Sequence, residues 1–126
     1  MVGDGECDEG LVWESLMAAK NFNLSNLTVI VDNNGIQSDG FKKDVMNQYS
    51  LFEKFSAFGF NTIEIDGHNH FEIADSFNSK HSEKPNAIIA NTVKGKGVSF
   101  MENNVIWHHG VLNNELFDIA INELKL

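Results

Sequence analysis

The stretch Leu27-Thr-Val-Ile-Val-Asp32-Asn33-Asn34-Gly35 decides the fold of this chain. It begins with apolar and β-branched residues, a composition typical of a strand that is buried on both faces of a parallel sheet. The Asn-Asn-Gly sequence that follows favours a turn and ends the strand. The stretch therefore predicts a parallel strand with polar side chains at its carboxyl end.

Helices and strands alternate around this strand. Upstream, apolar residues at helical spacing predict a helix over about 8–22, with Asp8 placed to cap its start. Downstream, the patterns predict helices over about 48–58, 69–80 and 114–124 and strands over 61–65 and 87–92. This alternation predicts an α/β domain with a mainly parallel sheet, helices on both faces, and ligands at the carboxyl ends of the strands.

The upstream side of the predicted sheet is short. Met1-Val2 leaves almost no strand before Gly3-Asp4-Gly5, and the remaining strands make a small sheet. We therefore expect residues 1–126 to form a single partial domain that is truncated at its amino end. Its open sheet edge and apolar face predict association into an oligomer.

Length, composition and charge limit the kind of protein. The 126 residues suffice for one domain, and 42% hydrophobic residues with one proline oppose disorder. A net charge of −9 disfavours binding to nucleic acid and to anionic membranes. The single cysteine and the absence of a basic, apolar leader predict a cytoplasmic protein. Because all basic residues are lysines, a phosphate ligand would depend on backbone N–H groups, lysine or a metal.

Two polar segments, Gly3-Asp4-Gly5 and Asn33-Asn34-Gly35-Ile36, carry the strongest chemical signal. If both follow neighbouring parallel strands, the Asp4 carboxylate and the Asn34 amide oxygen meet at one edge of the sheet. With the carbonyl oxygen of Ile36 they would offer hard oxygen ligands to Mg²⁺ or Ca²⁺, and phosphate oxygens and water would complete the shell. Each segment alone is a common turn, so two unrelated turns are the alternative.

Several segments occur in an order that resembles the thiamine diphosphate enzymes, and among these the transketolases. They are Gly3-Asp-Gly-Glu-Cys-Asp-Glu-Gly10, Val31-Asp-Asn-Asn-Gly-Ile36, Asp66-Gly-His68, Thr92-Val-Lys-Gly-Lys-Gly-Val98 and Phe100-Met-Glu102. The resemblance runs through essentially the whole chain and is closest to the separately encoded amino-terminal subunit of split transketolases. It implies the thiamine diphosphate-binding fold, of which only the downstream part is present.

The resemblance implies a set of ligand positions. Asp4, Asn34 and the carbonyl of Ile36 match the divalent-metal ligands of the family. The positions that match cofactor contacts are Gly3, Gly5, Glu6, Asn34 and His109.

The resemblance also implies catalytic residues. Glu9 matches an acidic residue that lies, in the family, in a carboxylate and water network between two active sites. His109, which precedes Gly110, matches a histidine that reaches cofactor and substrate. The adjacent His108 leaves the register of this match open by one residue.

The activity implied by the resemblance is transfer of a two-carbon ketol unit from a ketose phosphate to an aldose acceptor, as in the pentose phosphate pathway. Its cofactors are thiamine diphosphate and Mg²⁺ or Ca²⁺. Its partners are sugar phosphates and a complementary chain that carries the pyrimidine-binding module. Two alternatives remain: a component of a 2-oxo acid dehydrogenase or deoxyxylulose phosphate synthase type of enzyme, and a non-catalytic scaffold that retains the fold.

Three other patterns carry weaker signals. His68 and His70 lack a third nearby ligand, so we expect loop and helix-cap residues and no transition-metal site. Lys94 and Lys96 lie between glycines without Walker spacing, which disfavours nucleotide hydrolysis. Cys7 has no evident base or second cysteine, so we expect it to be passive.

Overall fold

The computed structural model of the chain describes residues 1–79 and 83–125. Four strands form one parallel sheet in the order β1-β2-β6-β5, and two short strands, β3 and β4, form a separate antiparallel pair. The elements are β1 (Val2–Gly3), a 3-10 turn (Glu6–Asp8), α1 (Gly10–Asn21), β2 (Thr28–Asn33), β3 (Ile36–Gln37), β4 (Gly40–Phe41), α2 (Lys42–Val45), α3 (Leu51–Ala57), β5 (Asn61–Asp66), α4 (His70–Asn78), β6 (Asn86–Asn91), a second 3-10 turn (Val105–His108) and α5 (Asn114–Leu124).

The strand β2 has a parallel neighbour on each side. Val31 lies opposite Val2 of β1 and opposite Ile89 of β6. This arrangement confirms the predicted parallel strand and the α/β fold class. Only Val31 of β2 is fully buried, whereas Ile30 lines an open cleft on the other face. The prediction of burial on both faces therefore holds for one face only within this chain.

The hydrophobic core lies on the sheet face that α1 and α3 cover. Phe55 of α3 is fully buried, and its ring lies 5.6 Å from that of Trp13 and 5.9 Å from that of Phe60. Aromatic rings at such separations attract each other beyond simple area burial. The sheet and helices contribute further buried residues to the same cluster: Leu16, Ala19, Val31, Leu51, Ala87 and Ile89.

The opposite sheet face carries α4 and an open apolar cleft of about 700 Å³, which we call the sheet-face cleft. Ile30 and Ile88 of the sheet lie on one side of it, and Ile73 and Phe77 of α4 lie on the other. Helices thus lie on both faces, as predicted, although the second face is incompletely covered within this chain. Among the described residues no helix is long and apolar enough to cross a bilayer.

The predicted cap of the first helix is wrong. The helix α1 begins at Gly10, Glu9 is its N-cap residue, and no side chain caps it. Asp8 instead ends the preceding 3-10 turn, and its carboxylate accepts a hydrogen bond from the Gln48 amide. The Asp8 carboxylate, which the local sequence predicts to cap α1, therefore bonds instead to Gln48, a side chain distant in sequence.

Serine and asparagine side chains cap the starts of α3 and α4. Ser50 Oγ accepts a hydrogen bond from the Glu53 N–H at 3.1 Å, so α3 begins at Leu51 and Gln48 lies before it. Asn69 caps α4 in the same way, and His70 is the first residue of that helix. The predicted helix over 69–80 extends to Lys80, which lies outside the described residues.

Candidate functional site

Two strand ends meet at one edge of the sheet. Gly3 of β1 lies opposite Asp32 of β2, and the Asp4 N–H donates to the Asp32 carbonyl at 3.1 Å. Asp4 and Asn34 therefore leave neighbouring parallel strands in the same direction. This is the edge at which ligands of open α/β sheets bind.

The Asp4 carboxylate is buried and is held by two backbone donors and one ion pair. Its side chain has an exposed fraction of only 2%. Oδ1 accepts the Gly5 N–H at 2.9 Å, and Oδ2 accepts the Gly35 N–H at 2.7 Å. The Lys42 ammonium lies 3.3 Å from Oδ2. These contacts fix the carboxylate and tie it to the residue that follows Asn34.

The Asn34 amide is oriented by its neighbours. Its Oδ1 accepts the Ile36 N–H at 3.0 Å, while its Nδ2 donates to Asp32 Oδ2 at 3.0 Å. The other Asp32 oxygen accepts a hydrogen bond from the Thr92 hydroxyl. Gly35 has a φ of +76°, which side-chain-bearing residues rarely adopt. This conformation allows the chain to turn between Asn34 and Ile36. An amide oxygen has two lone pairs, so Asn34 Oδ1 retains one for a ligand.

A polar cavity of about 460 Å³, which we call the strand-tip cavity, opens at this edge. Every residue that the sequence predicts to bind the metal or the cofactor lines this cavity, except His109. Glu9 lines it as well. Carboxylates outnumber cations in its lining, because Lys94 is the only lysine there. Its lining residues are Gly3, Asp4, Gly5, Glu6, Glu9, Asp32, Asn34, Ile36, Gln37, Ser38, Asp39, Lys94 and His108.

Of the two adjacent histidines, His108 lines the strand-tip cavity and His109 does not. His109 is exposed, with its ring centroid 4.7 Å from that of His108. His108 Nε2 lies 3.4 Å from Ser38 Oγ. The second 3-10 turn positions His108, and the Asn104 side chain caps that turn by accepting the Ile106 N–H.

The environment of His108 keeps its imidazole neutral. Burial lowers its pKa below the ordinary value, and the charges of Lys94 and His109 lower the pKa further. Within the part of the chain that the structure describes, its Nδ1 is buried and has no hydrogen-bond partner. A neutral imidazole with a free nitrogen is suited to exchange a hydrogen bond or a proton with a ligand hydroxyl.

The donor set of the strand-tip cavity fits a hard cation with a polyanionic ligand. Over residues 1–79 and 83–125 there is no group of three or more His, Cys, Asp and Glu side chains that suits a metal ion. The candidate donors are instead the Asp4 carboxylate, the Asn34 amide oxygen and the Ile36 carbonyl, which suit Mg²⁺ or Ca²⁺. A bare diphosphate would be repelled by the acidic lining, so a cation must accompany it.

An unpartnered amide group also fits a polar ligand. Gln37 lines the strand-tip cavity, and its Nε2 is buried without a hydrogen-bond partner among the described residues. A Cβ atom added at Gly5 would lie 2.7 Å from Gln37 Cβ. The close approach of Gln37 is therefore one reason why position 5 requires glycine. The predicted approach of a diphosphate is a second reason.

Sequence reasoning missed residues that support Asp4. The buried Gln48 donates from Nε2 to the Asp4 carbonyl at 2.8 Å and also to Asp8. Lys42 contacts the carboxylate from outside the lining of the strand-tip cavity. Neither residue belongs to a recognisable pattern, because each reaches Asp4 across about 40 positions of chain.

His68 supports a second part of the site. Its Nε2 accepts the Val93 N–H at 2.8 Å, which holds the segment that leads to Lys94. Gly67 packs against the same segment, since an added Cβ would lie 2.5 Å from Thr92 Cγ2. His68 is thus a loop residue, as expected, and its contact positions a cation that lines the cavity.

Comparison with known proteins identifies related sequences and folds. The family model described as the thiamine diphosphate binding domain of transketolase matches residues 1–124. The chain is 38% identical to an apulose-4-phosphate transketolase subunit of Phocaeicola vulgatus, covering 99% of this chain and 45% of that protein. It is 39% identical to a 6-deoxy-6-sulfo-D-fructose transketolase subunit of Clostridium sp., covering 99% of this chain and 46% of that protein.

The fold comparison agrees with these matches. The transketolase of Campylobacter jejuni superposes with a TM-score of 0.86 and 32% identity, covering 97% of this chain and 20% of that one. The chain spans just under half the length of the transketolase subunits that it matches.

Proposed function

The chain belongs to the family of transketolase thiamine diphosphate-binding domains, and from this premise we propose that it holds the diphosphate of thiamine diphosphate, together with Mg²⁺ or Ca²⁺, in a transketolase-like enzyme. One observation carries this proposal: Asp4, Asn34 and Ile36 surround a single polar cavity at the carboxyl edge of the sheet. The reaction is transfer of a two-carbon ketol unit from a ketose phosphate to an aldose. The family match favours this reaction over those of the other thiamine diphosphate enzymes.

The cation site consists of three oxygen donors from this chain. The Asp4 carboxylate, the Asn34 amide oxygen and the Ile36 carbonyl would hold the ion, and the ion would neutralise the diphosphate. The Gly3 and Gly5 backbone and Glu6 border the same space. With no arginine in the chain, the cation and Lys94 supply the positive charge that a diphosphate needs.

When bound, thiamine diphosphate supplies the nucleophilic carbon and the electron sink for ketol transfer. His108 is placed to donate a hydrogen bond or a proton to an oxygen of the substrate, because it lines the cavity as a neutral imidazole. The resemblance to the family selected His109, and this assignment stays a prediction that a paired comparison with His108 tests. Glu9 lies at the rim of the same space, and we propose that it meets the partner chain.

A complementary chain with the pyrimidine-binding module is the proposed partner. The relatives in Phocaeicola vulgatus and Clostridium sp. are named as transketolase subunits, which fits an enzyme with more than one kind of chain. Large apolar side chains that such a contact would cover are exposed outside the strand-tip cavity: Leu11, Met17, Phe22, Phe71, Val111 and Phe117. The proposed location is the cytoplasm, where sugar phosphates are available.

Ligand-linked stabilisation tests this proposal. We expect thiamine diphosphate with Mg²⁺ to raise the melting temperature of the assembled enzyme, because a ligand at 100 times its dissociation constant adds about 2.7 kcal/mol of stability. Asp4→Asn should remove this increment, measured against its own ligand-free sample. Asp118→Asn changes an exposed aspartate of α5 in the same way and should keep the increment. An equal increment in the Asp4 variant would exclude the proposed site.

A further inference from the structure

Lys42 is a cation in direct contact with the proposed metal ligand Asp4. Its Nζ lies 3.3 Å from Asp4 Oδ2 and donates to Asn33 Oδ1 at 2.6 Å. Its side chain is only 16% exposed, so water screens the ammonium weakly. Lys42 is not among the residues that line the strand-tip cavity, so it contacts Asp4 without bordering the proposed ligand space.

The two oxygens of Asp4 are used unequally. Oδ2 accepts the Gly35 N–H and forms the ion pair with Lys42, whereas Oδ1 accepts only the Gly5 N–H among the described contacts. Each carboxylate oxygen offers about two lone-pair sites. Oδ1 thus retains one for a cation while Lys42 stays on Oδ2. A divalent cation on Asp4 would then share its carboxylate with an ammonium group.

We propose that Lys42 makes cation binding at Asp4 depend on the diphosphate. The ammonium partly neutralises the carboxylate and repels a divalent ion a few ångströms away, so the ion alone binds weakly despite the acidic lining. A diphosphate brings negative charge that offsets this repulsion. Cation and diphosphate therefore bind as a pair. Lys42 is a positioning residue that acts through Asp4, and this role rests on the proposed function.

The chain offers a matched control for this proposal. Lys43 is the next residue, and its ammonium lies 5.8 Å from the centre of the Phe41 ring. It forms none of the described contacts of Asp4. Lys42→Met and Lys43→Met remove the same charge from adjacent positions, so they differ in contact with the carboxylate and not in net charge. Lys42→Arg keeps the positive charge at position 42.

The experiment measures binding of Mn²⁺ to the full chain by electron paramagnetic resonance, with and without inorganic pyrophosphate. For the unmodified chain we expect pyrophosphate to tighten Mn²⁺ binding at least tenfold. In Lys42→Met, Mn²⁺ alone should bind at least tenfold more tightly, and the tightening by pyrophosphate should fall accordingly. Lys42→Arg and Lys43→Met should behave as the unmodified chain does.

Two results would overturn the role of Lys42. The first is that pyrophosphate tightens Mn²⁺ binding to the unmodified chain less than tenfold. This result requires no variant. The other is a Lys42→Met chain whose Mn²⁺ affinity is unchanged or weaker. If that variant does not fold, Lys42→Gln, which keeps an amide donor toward Asn33 without charge, provides the same comparison. Failure of the proposed function has a different signature, namely no Mn²⁺ binding by the unmodified chain even with thiamine diphosphate.

Discussion

Neutralising Asp4 should destabilise the chain even when no metal or cofactor is present. The carboxylate accepts two backbone N–H groups and faces the Lys42 ammonium, all within a nearly buried environment. In Asp4→Asn the remaining carbonyl oxygen serves one N–H group, and the new NH₂ group faces the other donor. If the Asp4 carboxylate served only to bind a cation, its charge would be buried without compensation when no cation is present. Removing that charge would then raise the free energy of unfolding.

The expected loss follows from these contacts. A buried donor without an acceptor costs about 1–3 kcal/mol, and breaking a buried ion pair by changing one partner costs about 3–5 kcal/mol. Lys42 keeps Asn33 Oδ1 as an acceptor at 2.6 Å, which places the sum near the lower end. We expect Asp4→Asn to lower the free energy of unfolding by about 4 kcal/mol.

Urea denaturation of the full chain in the presence of a chelator measures this loss. The matched control is Asp118→Asn on the exposed face of α5, which should change the free energy of unfolding by no more than about 0.5 kcal/mol. An Asp4→Asn chain that is as stable as the unmodified chain, or more stable, would refute the idea that Asp4 joins the strand ends.

The remaining predictions concern the core, the cysteine and the histidines. Phe55→Ala should cost about 3–5 kcal/mol in urea denaturation, because the ring is fully buried, whereas Phe71→Ala, at a position 88% exposed, should cost little; equal losses would contradict the described core. Cys7 is buried and its pKa is raised to about 11, mainly by burial and then by the charge of Asp4, so iodoacetamide at pH 8 should label it only after unfolding. The pKa of His108 is lowered, so its neutral form persists as the pH falls through 6.5 and is lost only below that value. Ketol transfer by the assembled enzyme should therefore decline only below pH 6.5, and His108→Ala should lower kcat by about 10²–10⁴-fold; a larger loss in His109→Ala would restore the assignment made from the sequence.

The regular elements could be predicted because their signals are local. The predicted strands 61–65 and 87–92 agree with β5 (Asn61–Asp66) and β6 (Asn86–Asn91) to within one residue, and the helix over 114–124 agrees with α5. Apolar periodicity and turn residues fixed these segments. The pair β3 and β4 was not predicted, since two-residue strands carry no periodicity.

The candidate site was predicted in part. Asp4 and Asn34 were placed together because parallel neighbours end at a common edge, and they do border one cavity. The choice between His108 and His109 could not be made from the sequence. His108 is the last residue of the 3-10 turn and His109 follows it, and His108 contacts Ser38, which also lines the cavity. This contact joins residues that are 70 positions apart in the chain.

The sequence by itself determined the succession of the longer strands and helices along the chain, the acidic charge, and the family to which the motifs belong. These properties depend on residue type and short-range spacing, which the chain carries before it folds. Only the tertiary structure decided that Lys42 and Gln48 support Asp4, that His68 holds the segment before Lys94, and that one sheet face stays open. Such contacts join side chains that are distant in sequence, and they exist only after the strands are placed side by side.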